Sequence, residues 1–123
     1  MDYSEQQAYS ICKRLLKGKN PPTAFFAHDD NMALGAREAI LRLGFEIPKD
    51  IALMGIDNIK IGALSGIELT TISQKKYEMG AMGVKILVNQ IEKRVPHMVE
   101  KIVLDADLVI RKSCGYENSG YIR

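Results

Sequence analysis

The chain has 123 residues, 46% hydrophobic and 26% charged, which is the composition of one soluble domain or of part of a larger one. Seventeen basic and fifteen acidic side chains give a net charge of +2 without a basic block, which excludes a DNA-binding surface within these residues. Cys12 and Cys114 lack the spacing of a disulfide framework or a zinc site, so we expect reduced thiols and no metal.

The first elements along the chain are a helix, a strand and a second helix. Ser4 and Gln7 form a capping-box pattern ahead of apolar residues at helical spacing, which predicts the first helix. The unbroken apolar run at residues 23–27 predicts a strand buried in a parallel sheet. Asp29 and Asp30 then stand where carboxylates cap a helix N-terminus, and the apolar residues after them predict the second helix.

A second apolar run completes a β-α-β pattern. Residues 51–56 predict another strand, and Asp57 follows it directly. Such a crossover is right-handed almost without exception, and it makes the two strands parallel. The carboxyl ends of both strands therefore lie at one edge of the sheet, and Asp29, Asp30 and Asp57 share that edge.

The remaining half of the chain has a weaker pattern. Residues 60–71 predict an irregular connection, and the apolar seam of residues 77–91 predicts a third helix. Residues 101–104 and 107–110 predict extended segments, and the polar tail from Ser113 is expected to be loose. Together these elements predict an α/β fold, a parallel sheet with helices on both faces.

Three residues are ligand-site candidates because of their place in this pattern. Ligands of open α/β sheets bind beyond the carboxyl ends of the strands, which favours Asp30 first and Asp57 second. The structural alternatives are a helix cap at Asp30 and an Asx turn of Asp57 with Asn58. Tyr3 precedes the first helix at the same edge, where the alternative role is a hydrophobic staple.

The sequence offers little for catalysis. It contains no nucleophile elbow and no glycine-rich phosphate loop, so we expect a binding protein with no catalytic residue and no cofactor. His28 and Asp29 resemble metal ligands, but consecutive residues that leave a strand point to alternating sides. A receiver domain is a further alternative, although its phosphoacceptor needs one more β-α unit than separates Asp30 from Asp57.

The sequence also predicts the compartment. Its apolar runs are far shorter than the roughly 18 residues of a membrane span, so we expect no membrane partner. Residues 1–5 lack the basic and apolar parts of a secretory signal, which predicts a cytoplasmic protein.

Four motifs carry a resemblance to a known family. Residues 22–36 closely resemble the P-T-A-[IVF]-x-[AC]-x-[ND]-D-x-M-A-x-G-A stretch of the lactose/galactose repressor family. Residues 44–58, 69–80 and 108–113 resemble three later motifs of the same family, in the same order. Lys75 stands where that family usually has proline.

The resemblance implies a periplasmic-binding-protein-like type I sensor fold with an effector bound between two lobes. Residues 1–123 are expected to form roughly the second half of that effector-binding domain, crossing between lobes near Asp57 and again near the last strands. The family's helix-turn-helix lies outside this sequence, so operator DNA would be bound only through that absent part. A sugar-binding protein of a transport system and an enzyme on the same fold are the alternatives.

The resemblance also implies roles for individual residues. Asp30 matches the acid that hydrogen-bonds the effector, Tyr3 the aromatic that stacks on it, and Asp57 the acid at the crossover, whose alternatives are a structural role and a place near the cleft. Stacking combined with hydrogen bonding suits a sugar, which has an apolar face and a rim of hydroxyls, and less well a purine.

The resemblance further implies a homodimer formed through the first two helices. The apolar surface of the first helix is wider than one packing contact needs, which leaves a side for a second copy. The residues predicted at this dimer interface are Ala8, Ile11, Leu15, Ala39 and Leu43.

Overall fold

The computed structural model describes residues 4–92 and 101–116, and its internal contacts divide the chain into two units. The sheet unit comprises Met1–Ser73 and Leu108–Arg123, and the inserted unit comprises Gln74–Asp107. The predicted first crossing near Asp57 is wrong, because the chain stays in the sheet unit until Ser73. The second crossing, before Leu108, lies where the sequence predicts it.

The first two helices form as predicted because their N-terminal caps are present. Helix α1 spans Glu5–Leu16, and the backbone N–H of Gln7 donates to Ser4 Oγ at 3.2 Å. Helix α2 spans Asp30–Arg42, and Asp29 Oδ1 accepts a 2.8 Å hydrogen bond from the N–H of the third residue beyond it. Each cap satisfies an N–H group that the helix itself leaves unpaired.

The two helices approach each other closely, and small residues allow it. A Cβ built on Gly35 would lie 2.1 Å from the backbone oxygen of Glu5, so a side chain at this position has no room. Ala8 and Ala39 are only 8% and 0% exposed. The prediction that these two alanines form a dimer interface is therefore wrong, because burial within the chain already covers them.

Four strands form one sheet in the order β1-β2-β3-β4. They span Ala24–Phe26, Ala52–Ile56, Thr70–Ser73 and Asp107–Val109. β1 pairs with β2 and β2 with β3, both parallel, which confirms the predicted fold class. Gly55 faces α2, since its Cβ would lie 3.2 Å from the Ala33 side chain, while Ala52 and Met54 on the opposite face are half-buried.

The structure corrects three predictions of irregular or extended segments. The segment predicted to be an irregular connection, residues 60–71, ends in the first two residues of β3, Thr70 and Thr71, which are buried. Residues 101–104 form no strand, and β4 is limited to Asp107–Val109. Ser113, at the start of the predicted loose tail, is buried in a short 3-10 helix. Hydrogen bonds between residues distant in sequence hold Thr70, Thr71 and Ser113 in place, and local patterns do not report such contacts.

The hydrophobic core of the sheet unit lies where α1 and α2 meet the strands. The largest fully buried apolar side chains are Ile40, Leu53 and Leu69. Cys12 belongs to the same cluster, and burial raises the pKa of its thiol to about 11. Cys12 is therefore a packing residue and not a reactive thiol at neutral pH.

The inserted unit contains helix α3, which spans Lys76–Ile91 and confirms the predicted third helix. None of the residues of α3 is buried. Lys75 Nζ forms an ion pair with the Asp107 carboxylate, and this partner raises the pKa of Lys75. The pair joins the two ends of the inserted unit at the position where the resembled family usually has proline.

Candidate ligand-binding edge of the sheet

The carboxyl ends of β1 and β2 lie side by side at one edge of the sheet. The N–H of Ala27 donates to the carbonyl oxygen of Met54 at 2.9 Å, which holds the two ends in register. β1 then leads into Asp29 and β2 into Asp57. The ligand edge is defined here as Asp29, Asp57, Asn58 and Ser73, the polar residues at the ends of the three parallel strands.

Asp30 is fully buried beneath this edge. It is 0% exposed, and Thr71 Oγ1 donates to its Oδ1 at 2.7 Å. The backbone N–H of Ile59 donates to its Oδ2 at 2.9 Å. The predicted direct contact of Asp30 with an effector is therefore not formed by this arrangement, because neither carboxylate oxygen is exposed. Asp30 instead anchors α2 to β3 and to the turn after β2.

Gly55 gives this carboxylate its space. A Cβ at that position would lie 2.3 Å from Asp30 Oδ1, well inside contact distance. The glycine near the end of β2 is thus a requirement of the buried acid and not a weak point in the strand.

Asp57 and Asn58 have an unusual backbone conformation at the ligand edge. Their φ angles are 108° and 50°, in the left-handed region that residues other than glycine rarely adopt. Each such residue costs on the order of 1 to 3 kcal/mol and persists only where the surroundings fix it. The N–H of Asp57 donates to the Ile72 carbonyl at 2.8 Å, which attaches this turn to β3. Both residues are half-buried, so Asp57 is accessible where Asp30 is not.

The Asn58 side chain is bound on both of its polar atoms. Its Oδ1 accepts a 2.7 Å hydrogen bond from Arg111 Nη2, and its Nδ2 donates to Ser73 Oγ at 3.3 Å. Its backbone N–H donates to Thr71 Oγ1 at 3.2 Å. Asn58 therefore connects the turn after β2 with the end of β3 and with the segment after β4.

Arg111 contacts the ligand edge through Asn58, and the sequence did not identify it as a site residue. Its Nη1 donates to the Leu69 carbonyl at 2.7 Å. Its backbone N–H donates to Thr70 Oγ1 and its carbonyl accepts from the same hydroxyl, both at 2.9 Å. The motif of residues 108–113 contains this arginine, and an arginine within an apolar extended segment is a signal that could have indicated a buried role.

Ser113, close to the C-terminal end of the described residues, links two strands of the sheet unit. Its hydroxyl donates to the Leu53 carbonyl at 2.6 Å and accepts from the Thr70 N–H at 2.7 Å. One side chain thus bridges β2 and β3. The short 3-10 helix that carries Ser113 is ordered by these two hydrogen bonds.

The buried polar side chains of the described residues are all hydrogen-bonded. No buried side-chain nitrogen or oxygen within residues 4–92 and 101–116 lacks a hydrogen-bond partner. In that part of the chain there is also no group of three or more potential metal ligands, and no helix long and apolar enough to cross a membrane. Tyr3 lies outside the described residues, so its stacking role stays a prediction.

A family model described as a periplasmic binding protein-like domain matches residues 1–114 of the chain. The chain belongs to this family. The predicted resemblance to lactose/galactose repressors is confirmed by relatives and solved structures that are named as repressors and regulators of that kind.

Two curated relatives of this periplasmic binding protein-like domain are transcriptional repressors. The HTH-type repressor MelR of Bacillus subtilis is 32% identical over 114 residues, which cover 93% of this chain and 33% of MelR. The HTH-type repressor CytR of Escherichia coli K12 is 34% identical over 112 residues, 91% of this chain and 33% of CytR. The chain spans about a third of the length of these relatives.

A solved structure gives the same result for the fold of the periplasmic binding protein-like domain. A LacI family transcriptional regulator from Enterococcus faecium, solved with bound ribose, superposes with a TM-score of 0.79 at 30% identity. The match covers 91% of this chain and 40% of that regulator.

Proposed function

We propose that residues 1–123 are the C-terminal part of the effector-binding domain of a cytoplasmic LacI-family repressor and bind a sugar at the ligand edge. The observation that carries the proposal is the half-buried Asp57, set in a left-handed turn that hydrogen bonds attach to β3 and, through Asn58, to Arg111. The repressor relatives support the regulatory role. The ribose bound by the Enterococcus faecium regulator supports the ligand class.

The chemistry of the edge suits a polyhydroxylated ligand. Carboxylate oxygens accept hydrogen bonds from hydroxyl groups, and such charge-assisted bonds are stronger than neutral ones. Asp57 supplies this acceptor, Asp29 lies on the neighbouring strand end, and Tyr3 supplies a stacking face in this proposal. Asp30 takes part as the anchor under the edge.

The remaining parts of the proposed function lie in the longer protein. The parent repressor binds operator DNA through residues outside this chain, and effector binding changes its affinity for the operator. The net charge of +2 and the one-third coverage of MelR and CytR are consistent with a sensing role without its own DNA contact.

The test is a titration of D-ribose followed by the amide chemical shifts of this chain. We expect saturable shifts at Asp57 and Asn58, and Asp57→Ala should weaken binding about ten- to a hundredfold through loss of a charged hydrogen-bond partner. Asp105→Ala, which removes the same charge from an exposed site in the inserted unit, should leave ribose affinity unchanged. A ribose affinity that Asp57→Ala leaves intact would exclude Asp57, and saturation by hypoxanthine alone would replace the sugar with a purine.

We further propose that the chain forms a homodimer through the exposed face of α1. Ile11 and Leu15 are 39% and 43% exposed, so this apolar surface remains available after α1 has packed on α2. Leu43 is half-buried at the end of α2. A charge at Leu15 should therefore disfavour association.

Sedimentation velocity measures this association. Leu15→Glu should shift the dimer toward monomer, whereas Ser10→Glu, the same change in charge at an exposed polar position of α1, should not. A wild-type chain that stays monomeric as its concentration rises tenfold would contradict the dimer. A dimer that Leu15→Glu leaves unchanged would place the interface on the strands instead of on α1.

A further inference from the structure

We propose that Asn58 and Arg111 are positioning residues of the ligand edge, which together fix the backbone that presents the Asp57 carboxylate. The inference rests on the proposed function of Asp57 as the ligand-binding acid. Neither residue needs to touch the ligand, since each acts through the conformation of its neighbour.

The first step is the dependence of Asp57 on Asn58. Two consecutive left-handed residues other than glycine make this turn costly, and the turn persists because other groups hold it. Both polar atoms of the Asn58 amide are engaged, Oδ1 by Arg111 and Nδ2 by Ser73. A rotation of this turn would break both bonds. The two bonds therefore fix the backbone from which the Asp57 side chain extends.

The second step is the rigidity of Arg111. One guanidinium nitrogen is bound to the backbone carbonyl of Leu69, and the main chain of Arg111 is bound in both directions to Thr70 Oγ1. These partners lie at the start of β3, a paired strand of the sheet. The other terminal nitrogen of the guanidinium, Nη2, therefore donates to Asn58 from a fixed position.

The third step is where these residues lie along the chain. Ser73 is the last residue before the inserted unit, and Arg111 follows shortly after the chain returns at Leu108. Asn58 is hydrogen-bonded to both. The conformation of the ligand edge is thus tied to the residues next to both crossings of the chain.

The competing explanation is that asparagine occupies this position only because it tolerates a positive φ. Two substitutions separate the explanations. Asn58→Gly has the conformational freedom for φ 50° but removes both side-chain hydrogen bonds. Asn58→Asp keeps an acceptor for Arg111, and the Ser73 hydroxyl can donate to its second oxygen.

The test compares these variants in the ligand-free chain by the side-chain carboxyl resonance of Asp57. Positioning predicts that Asn58→Gly shifts this resonance and that Asn58→Asp leaves it near the wild-type value. Arg111→Lys, which keeps the charge but not the two-pronged geometry, should move the resonance in the same direction as Asn58→Gly. In the Asn58→Gly background the lysine substitution should have no further effect, because the two residues act as one unit.

The D-ribose titration is a separate readout. Asn58→Gly should weaken ribose binding about tenfold, corresponding to the loss of one well-placed charged hydrogen bond, and Asn58→Asp should restore it. An Asp57 resonance that Asn58→Gly leaves unchanged would overturn the positioning role. If Asn58→Gly shifts the Asp57 resonance but the wild-type chain binds no ribose, the proposed function is overturned and the positioning role is retained.

Discussion

Replacing Asp30 by alanine should lower the free energy of unfolding of the chain by about 3 to 5 kcal/mol, because two hydrogen bonds to a charged group are lost at once. The Thr71 hydroxyl and the Ile59 N–H would both lose their acceptor beneath the ligand edge. The position is fully buried in the wild-type chain, and a buried polar group that loses its partner destabilises the fold. Urea denaturation followed by circular dichroism measures the loss.

The adjacent acid supplies the matched control. Asp29→Ala removes the cap of α2, a change that costs about 1 kcal/mol, at a half-buried position. Asp30→Ala should therefore cost clearly more than Asp29→Ala. Equal losses for the two variants would show that Asp30 is no more than a second helix cap.

The second large effect is expected at the contact between α1 and α2. A Cβ at Gly35 would lie 2.1 Å from the Glu5 backbone oxygen, which cannot turn away as a flexible side chain can. Gly35→Ala must therefore push α1 off α2, and it should destabilise the chain by about 2 to 3 kcal/mol although alanine favours the helix. Thermal unfolding of the variant and the wild type gives the difference.

Gly80→Ala is the control for helix propensity alone. Gly80 lies within α3, and a Cβ there meets no atom within 4 Å outside the helix's own backbone. This substitution should stabilise α3 by about 0.5 to 1 kcal/mol. If Gly35→Ala were as well tolerated as Gly80→Ala, the close helix contact would not exist in solution.

The local patterns of the sequence predicted the helices and the first two strands well. Ser4 and Asp29 cap their helices as expected, since a cap needs only residues three positions apart. The two apolar runs became β1 and β2, but the prediction that the first run is a buried strand is wrong, because β1 is an edge strand and its Ala24 and Phe26 are exposed. These features depend on neighbours in the chain, which a sequence displays directly.

The polar half of the fold could not be predicted in this way. Thr70 and Thr71 look like part of a loop, yet they are buried because Arg111, Ser113 and Asp30 satisfy their hydroxyl and N–H groups. These partners are more than forty positions away, at separations of 41 to 43 residues. Arg111 was missed for the same reason, because its side-chain partners Leu69 and Asn58 also lie far from it in the sequence.

At the candidate site, too, local sequence features do not distinguish two neighbouring residues. Asp29 and Asp30 share every local feature, but one caps α2 at the edge and the other points under it toward Gly55. Both the place of Asp30 at a strand end and its match to the family motif favoured it, and only the packing of α2 on β2 distinguishes the two acids. The alanines of the expected dimer face were misassigned similarly, because helical periodicity does not tell which neighbour covers a face.

The Ser113 hydroxyl has a consequence for how the chain is made. It bridges the Leu53 carbonyl and the Thr70 N–H, partners that precede it by 60 and 43 residues. On the ribosome, α1 and α2 emerge early and can pair while β2 and β3 still lack that bridge. The nascent sheet unit is thus completed only after the whole inserted unit has been synthesised, and until then β2 and β3 lack the side-chain bridge of Ser113.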